Sequence, residues 1–139
     1  MSSVEDFTEQ TLQRQRAAND AMYQGDPEPF LAMWSQSDDV SLFGAFGPSR
    51  TGWPALRDTF RWVGGRFSDG DMRTEFEVVH AGTELAYTVG YERGEVSVDG
   101  GPRRAVAIRV THLYRAEQGQ WRLVHRHGDF PPKDESPRG

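Results

Sequence analysis

Apolar residues in the N-terminal third of the chain recur at helical spacing. The first run extends from residue 4 to residue 22 and stops at Gly25, which predicts a long first helix. Asp26 and Pro27 follow as a helix cap and a first-turn residue, and the apolar positions after them end at Trp34. This pattern predicts a short second helix.

A short strand, a glycine-rich loop and a third helix come next. Residues 40–43 are the strand candidate, and residues 44–52 read as a loop because Gly, Pro and Ser favour turns. The third helix has the clearest pattern, with apolar residues at alternating spacings of three and four: Trp53, Leu56, Phe60, Val63 and Phe67.

Beyond Asp69 the hydrophobic period changes to two, which is typical of strands with one solvated face. Residues 105–114 have apolar side chains at both odd and even positions, which predicts a central strand covered on both faces. Turn sequences at residues 99–101 and 117–119 separate the later strands. The four predicted strands contain residues 72–78, 85–91, 105–114 and 120–130.

The resulting order is helix, helix, short strand, helix, and then an antiparallel meander of four strands. Helices segregated from antiparallel strands predict an α+β fold in which the helices cover one face of a curved sheet. No βαβ alternation is present, which disfavours a doubly wound nucleotide-binding fold. We expect a single domain over residues 1–130 and a disordered, proline-rich and charged tail over residues 131–139.

The amino-acid composition and net charge argue against several classes of function. The 139 residues contain no cysteine, which excludes disulfides, thiolate metal ligands and a thiol nucleophile. The net charge of −5 argues against nucleic-acid binding. No apolar run is long enough to span a membrane, and the acidic start is unlike a secretory signal, so we expect a cytoplasmic protein.

Three stretches resemble the nuclear transport factor 2-like superfamily, which has a cystatin-like fold. They are GDPEPFLAMWSQSDDVSLFG, RTGWPALRDTF and RVTHLYRAEQGQWRLVHRHGDF. The resemblance is to the SnoaL-like branch and to the calcium/calmodulin-dependent kinase association domain. It implies a bent sheet wrapped around the N-terminal helices as a cone, with an apolar pocket at one end and a homodimer formed through the outer sheet face.

The steroid isomerases of this superfamily are a poor match in their chemistry. Their catalytic base would fall at Phe43 or Gly44, and their oxyanion tyrosine would fall at Ala18. Neither position carries the required group, so steroid isomerase chemistry is disfavoured.

The strongest polar constellation lies in the last strand. Alternation places His125, His127 and Asp129 on one face, which the resemblance makes the pocket side. A histidine beside a carboxylate suits general acid/base catalysis near neutral pH, and in this hypothesis His127 is the acid or base and Asp129 or His125 orients it. The same pair could instead bind an anionic substrate through a protonated histidine. The structural alternative is that the histidines only pack or lie at a boundary.

Other candidates line the pocket in this interpretation. Arg109, with Thr111 on the same face, could bind a ligand carboxylate or pair with a neighbouring glutamate. His112 has the opposite parity and is expected on the outer face. The aromatic candidates for pocket walls, which packing in the core would also explain, are Trp34, Trp53, Tyr87 and Tyr91.

No motif indicates a cofactor or a metal, and His125 and His127 lack a third ligand nearby. The sequence therefore favours a homodimeric domain that binds a small organic molecule, such as a carboxylate. The alternative is a cofactor-independent isomerase, dehydratase or cyclase that uses His127.

Overall fold

The N-terminal helical run forms as predicted. The computed structural model describes residues 3–133, so residues 134–139 of the predicted tail lie outside the described residues. The run continues through a short π-helical segment, and Gly25 ends it with a positive φ of 97°. Its three parts are α1 (Ser3–Phe7), the π-helical segment (Thr8–Leu12) and α2 (Gln13–Tyr23).

Two further helices also match the pattern. The short helix α3 covers Glu28–Leu31, directly after Pro27. Helix α4 covers Trp53–Gly65 and has a proline in its first turn. Phe67, the last member of the predicted helical stripe, instead begins the next strand, because the chain leaves the helix at the two glycines before it.

Six strands form one mostly antiparallel, curled and unclosed sheet, which confirms the α+β prediction. Its order is β2-β1-β6-β5-β4-β3, and of the strand pairs within residues 3–133 only β1–β6 is parallel. The expectation of a loop over residues 44–52 was wrong at its end, where β2 pairs with β1. The strands are β1 (Ser41–Phe43), β2 (Ser49–Thr51), β3 (Phe67–Ala81), β4 (Leu85–Val98), β5 (Arg104–Glu117) and β6 (Gln120–Asp129).

Two glycines on β4 allow the sheet to bend. A Cβ atom on Gly90 would lie 2.0 Å from the carbonyl oxygen of Glu75, and one on Gly94 would lie 2.0 Å from that of Asp71. Both clashes are with β3, whose pairing with β4 is interrupted by register shifts nearby. Bulges and glycine are the usual means of sharp bending in a sheet. The strands therefore curl around the helices.

The core fills the concave side of this sheet. Phe7 of α1 packs edge-on against Tyr114 of β5, with ring centroids 4.9 Å apart. Phe30 of α3 packs in the same way on Phe60 of α4, also at 4.9 Å. Aromatic contacts of this geometry add to the free energy gained from burial. They hold the helices against the inner face of the sheet.

Candidate functional site

One extra residue in β6 decides which of its side chains face the interior. On β5, Leu113 pairs with His125, whereas the next residue, Tyr114, pairs with Leu123. Val124 is therefore left over as a bulge. A bulge moves the alternation by one residue, so every side chain beyond it changes face.

The predicted facing of the last strand was consequently wrong. His125, His127 and Asp129 lie on the outer face, and His127 is exposed. Arg126 points into the cone instead, where its side chain is only 11% exposed. The sequence pattern alone does not reveal the bulge, because Leu123 and Val124 are both apolar.

Arg126 makes a buried ion pair with Glu92 of β4. Arg126 Nη1 and Nη2 lie 2.8 and 3.0 Å from the two carboxylate oxygens. Tyr23 donates its hydroxyl proton to the same carboxylate at 2.5 Å, and Arg126 Nη1 lies 3.0 Å from His112 Nε2. Asn19 adds a weaker hydrogen bond at 3.4 Å. We refer to Tyr23, Glu92, His112 and Arg126 as the interior cluster.

Helix α2 extends this cluster with a buried polar stripe. Asn19 also donates to Thr74 at 2.9 Å and accepts from Gln15 at 2.9 Å, and Gln15 in turn accepts from Tyr114 at 2.7 Å. Gln15, Asn19 and Tyr23 are spaced by four residues and therefore share one helix face. That spacing is a signal in the sequence that could have predicted a polar interior.

Burial and charge fix the protonation states of the interior cluster. Burial by itself raises the pKa of Glu92. The charge and hydrogen bonds of Arg126 outweigh this effect and lower the pKa to about 2. Burial and the Arg126 charge lower the pKa of His112 to about 3. Burial raises the pKa of Tyr23 well above its ordinary value. Near neutral pH the carboxylate is ionised, the imidazole is neutral and the phenol keeps its proton.

A small cavity of about 50 Å³ lies between this cluster and the helices. Glu92 and Arg126 are its charged lining, and most of the remaining wall is apolar. The volume accommodates a few water molecules. The loop between β1 and β2 covers it with Phe46, whose ring lies 5.6 Å from that of Phe67 and 5.4 Å from that of Phe130.

None of the nine site residues predicted from the sequence lines this cavity. Trp34 is buried in the core beside Phe60, with ring centroids 5.5 Å apart, and Trp53 is only partly buried. His112, expected on the outer face, is buried in the interior cluster. The residues expected to line the cavity therefore do not line it, whereas His112, expected on the outer face, lies in the interior.

Five of the predicted residues do come together, but in an open depression of about 320 Å³ on the outer face. There Arg109 Nε and Nη2 lie 2.7 and 2.8 Å from the two oxygens of Asp129. This bidentate pair differs from both partners considered for Arg109, a ligand and a glutamate. The five residues are Tyr91, Arg109, Thr111, His127 and Asp129.

Strand β4 also faces opposite to expectation. Tyr87 and Val89 are exposed on the outer face, whereas Thr88 and Glu92 are buried inside. On the inner face, Glu92 is hydrogen-bonded to Tyr23 and Asn19 of α2. In the first half of β4 the large apolar side chains therefore lie on the outer face.

Among residues 3–133, no three His, Asp or Glu side chains are grouped to hold a metal ion. Within the same range, no helix is long and apolar enough to cross a membrane.

Comparison with solved structures shows the fold. A ketosteroid isomerase-like protein from Erwinia carotovora superimposes with a TM-score of 0.75 at 18% identity, covering 92% of this chain and 98% of that one. A nuclear transport factor 2-like superfamily protein from Salmonella enterica gives 0.74 at 17% identity, with 99% and 96% covered. A calcium/calmodulin-dependent protein kinase type II association-domain-like protein from Thiobacillus denitrificans gives 0.68 at 20%, with 88% and 95% covered.

A search of the curated proteins gives no match. The model of the SnoaL-like domain matches residues 12–132, which include all six strands. The fold by itself does not define an activity, because one fold carries many functions. The predicted resemblance is confirmed, and the chain belongs to the SnoaL-like domain family.

Proposed function

We propose that this protein binds a small organic molecule in the interior cavity, with Arg126 and Glu92 as the polar anchor. The observation that carries the proposal is a buried bidentate ion pair in the wall of an otherwise mostly apolar cavity. A buried pair adds little stability compared with apolar side chains of similar size. An apolar cavity with a few convergent polar groups is the usual form of a small-molecule site.

The charge states of the interior cluster favour binding over proton transfer. Glu92 is held as an anion by Arg126, and His112 is held neutral by burial. Neither pKa is close to neutral pH, where general acid/base catalysts work best. The alternative enzyme, with His127 and Asp129 as catalytic groups, would have to act in the outer-face depression.

Entry to the cavity requires the β1–β2 loop to move. A volume of about 50 Å³ is well below the roughly 300 Å³ of a typical ligand pocket. Phe46 on this loop contacts Phe67 and Phe130 only through ring edges or tilted faces. Displacement of Phe46 would enlarge the cavity toward solvent.

We also propose a homodimer through the outer sheet face. Four apolar side chains in the central strands of that face are exposed, and contiguous apolar surface of this kind marks an interface. An isologous pairing would cover the same patch on both copies. The exposed side chains are Leu85, Tyr87, Val89 and Leu113.

The binding proposal is tested with a library of small organic molecules, by thermal shift and ligand-observed NMR. Thr59 lines the cavity, so Thr59→Leu fills it, whereas Thr83→Leu makes the same change at an exposed turn. Binding is expected to be lost in Thr59→Leu and kept in Thr83→Leu. Equal binding by both variants, or no binding by the wild type, contradicts the proposal.

A further inference from the structure

The loop between β1 and β2 lies over the interior cavity, and we refer to its residues 44–48 as the lid. Two backbone hydrogen bonds hold the shape of the lid: Gly44 N donates to Pro48 O, and Gly47 N donates to Gly44 O, each at 2.9 Å. Among residues 3–133, no turn or loop hydrogen bond joins the lid backbone to another element. The position of the lid over the cavity therefore depends on side-chain contacts, which include those of the half-buried Phe46.

Arg66, the residue directly after α4, makes a charged contact with the lid. Its guanidinium carbon lies 5.2 Å from the ring centroid of Phe46 and 4.9 Å from that of Trp62. A guanidinium at such a distance is attracted to the face of an aromatic ring. The other two ring contacts of Phe46, with Phe67 and Phe130, are between uncharged groups.

Asp99, in the turn between β4 and β5, fixes the position of this guanidinium. Arg66 Nε and Nη2 donate to the two carboxylate oxygens of Asp99 at 3.0 and 2.9 Å. The backbone N–H of Asp99 in turn donates to the carbonyl oxygen of Arg66 at 2.8 Å. A bidentate pair adds geometric specificity. The pair therefore holds the guanidinium beside the lid.

We propose that the contact of Arg66 with Phe46 controls how often the lid uncovers the cavity, and that Asp99 acts as a positioning residue for Arg66. Among the described residues, Arg66 is not part of the cavity lining. Its loss therefore changes the entry of a molecule and leaves the anchor formed by Arg126 and Glu92 in place. The inference rests on the proposed binding function, because it assigns the lid a role in ligand entry.

A single thiol in the cavity wall measures how often the lid opens. The chain contains no cysteine, and Thr59, which lines the cavity, is only 8% exposed. Alkylation of Thr59→Cys by iodoacetamide, followed by mass spectrometry, therefore requires opening. At reagent concentrations where the rate is proportional to concentration, the rate is proportional to the open fraction.

Arg66→Met in the Thr59→Cys background should increase the alkylation rate about fivefold, the size of one exposed cation–π contact. Asp99→Asn should increase it about twofold, because the weaker pair leaves Arg66 less fixed. Asparagine tolerates the positive φ of 54° at this position, so the turn is kept.

Two controls separate lid opening from other effects. Arg61→Met should leave the rate unchanged, since Arg61 lies on α4 and makes its bidentate pair with Glu28, at 3.0 and 3.1 Å. Ala86→Cys places the thiol at a core position that is 1% exposed and, among the described residues, outside the cavity lining. It should react more slowly than Thr59→Cys, because unfolding is needed to reach it.

Equal alkylation rates in the Arg66→Met and Arg61→Met backgrounds would overturn the role of Arg66. Equal rates for Thr59→Cys and Ala86→Cys would also overturn it, because the cavity would then open only by unfolding. In either case, library compounds that bind the wild type but not Thr59→Leu would still support the binding function. If Arg66→Met accelerates alkylation but no library compound binds, Arg66 holds the lid and the proposed binding function fails.

Discussion

Arg126 and Glu92 lie on strands that are not neighbours, and their side chains meet across the inner face of β5. The two N–O distances of 2.8 and 3.0 Å join β6 to β4, while His112 on the intervening strand lies 3.0 Å from Arg126 Nη1. The pair thus connects three strands within the curled part of the sheet. Its loss should affect both stability and the cavity.

Arg126→Met should destabilise the fold by about 3–5 kcal/mol, because it leaves the Glu92 carboxylate buried without a partner. The double variant Arg126→Met/Glu92→Leu should recover most of this loss, since no charge is then left in the interior. Urea denaturation measures both variants.

The exposed pair Arg61–Glu28, 3.0 Å apart, provides the control. Arg61→Met should change the free energy of unfolding very little, as is usual for exposed ion pairs. If Arg126→Met were equally mild, the interior pair would not be the buried anchor described above.

The free energy of unfolding should decrease as the pH is lowered below about 6.5. Folding lowers the pKa of His112 from 6.5 to about 3, so the unfolded chain takes up a proton that the folded protein refuses. The loss is up to about 1.4 kcal/mol per pH unit between these values. Folding also lowers the pKa of Glu92 from 4.5 to about 2, so its contribution is complete above pH 4.5 and is lost toward pH 2.

His112→Gln should reduce the slope between pH 6.5 and 4.5. It should not abolish it, because burial also lowers the pKa of His125. The control is His80→Gln at an exposed position. Denaturant midpoints measured at several pH values give the comparison, and an unchanged slope in His112→Gln would rule out its buried neutral state.

Gly90→Ala should destabilise the protein by several kcal/mol or prevent folding. The new Cβ would lie 2.0 Å from the carbonyl oxygen of Glu75, so β3 and β4 would have to separate. Circular dichroism and thermal unfolding would detect the loss. Gly65→Ala should fold normally, and a similarly stable Gly90→Ala would mean that the close approach of the two strands is not required.

Leu113→Glu should shift the protein toward monomer if the proposed outer-face dimer forms. A carboxylate at the centre of an apolar interface is costly to desolvate. Trp62→Glu, on the exposed side of α4, is the control. Sedimentation velocity would resolve the two species, and a monomeric wild type would exclude the dimer.

His127→Ala should leave binding in the interior cavity unchanged, because His127 lies on the outer face. Calorimetric titration with a compound that binds the wild type provides the measurement. Loss of an enzymatic turnover in this variant would instead support the alternative, in which His127 acts in the outer depression.

The order of the elements followed from the periodicity of the sequence, because helices and strands bury side chains at different intervals. The periodicity did not show which face of each strand would be the inner one. The period of two in β4 is clear, yet Tyr87 and Val89 face outward, whereas the polar residues Thr88 and Glu92 are buried on the inner face. The hydrophobic pattern of a strand shows that its two faces differ, whereas tertiary contacts decide which face is covered.

The bulge at Val124 determines which face of the sheet each later side chain of β6 occupies. A relative with one residue fewer at this position would turn two histidines and a carboxylate toward the interior and would expel the arginine. Two chains with almost identical sequences would then enclose opposite chemistries. Within this family, residue roles in β6 can be transferred only after the position of the extra residue has been established.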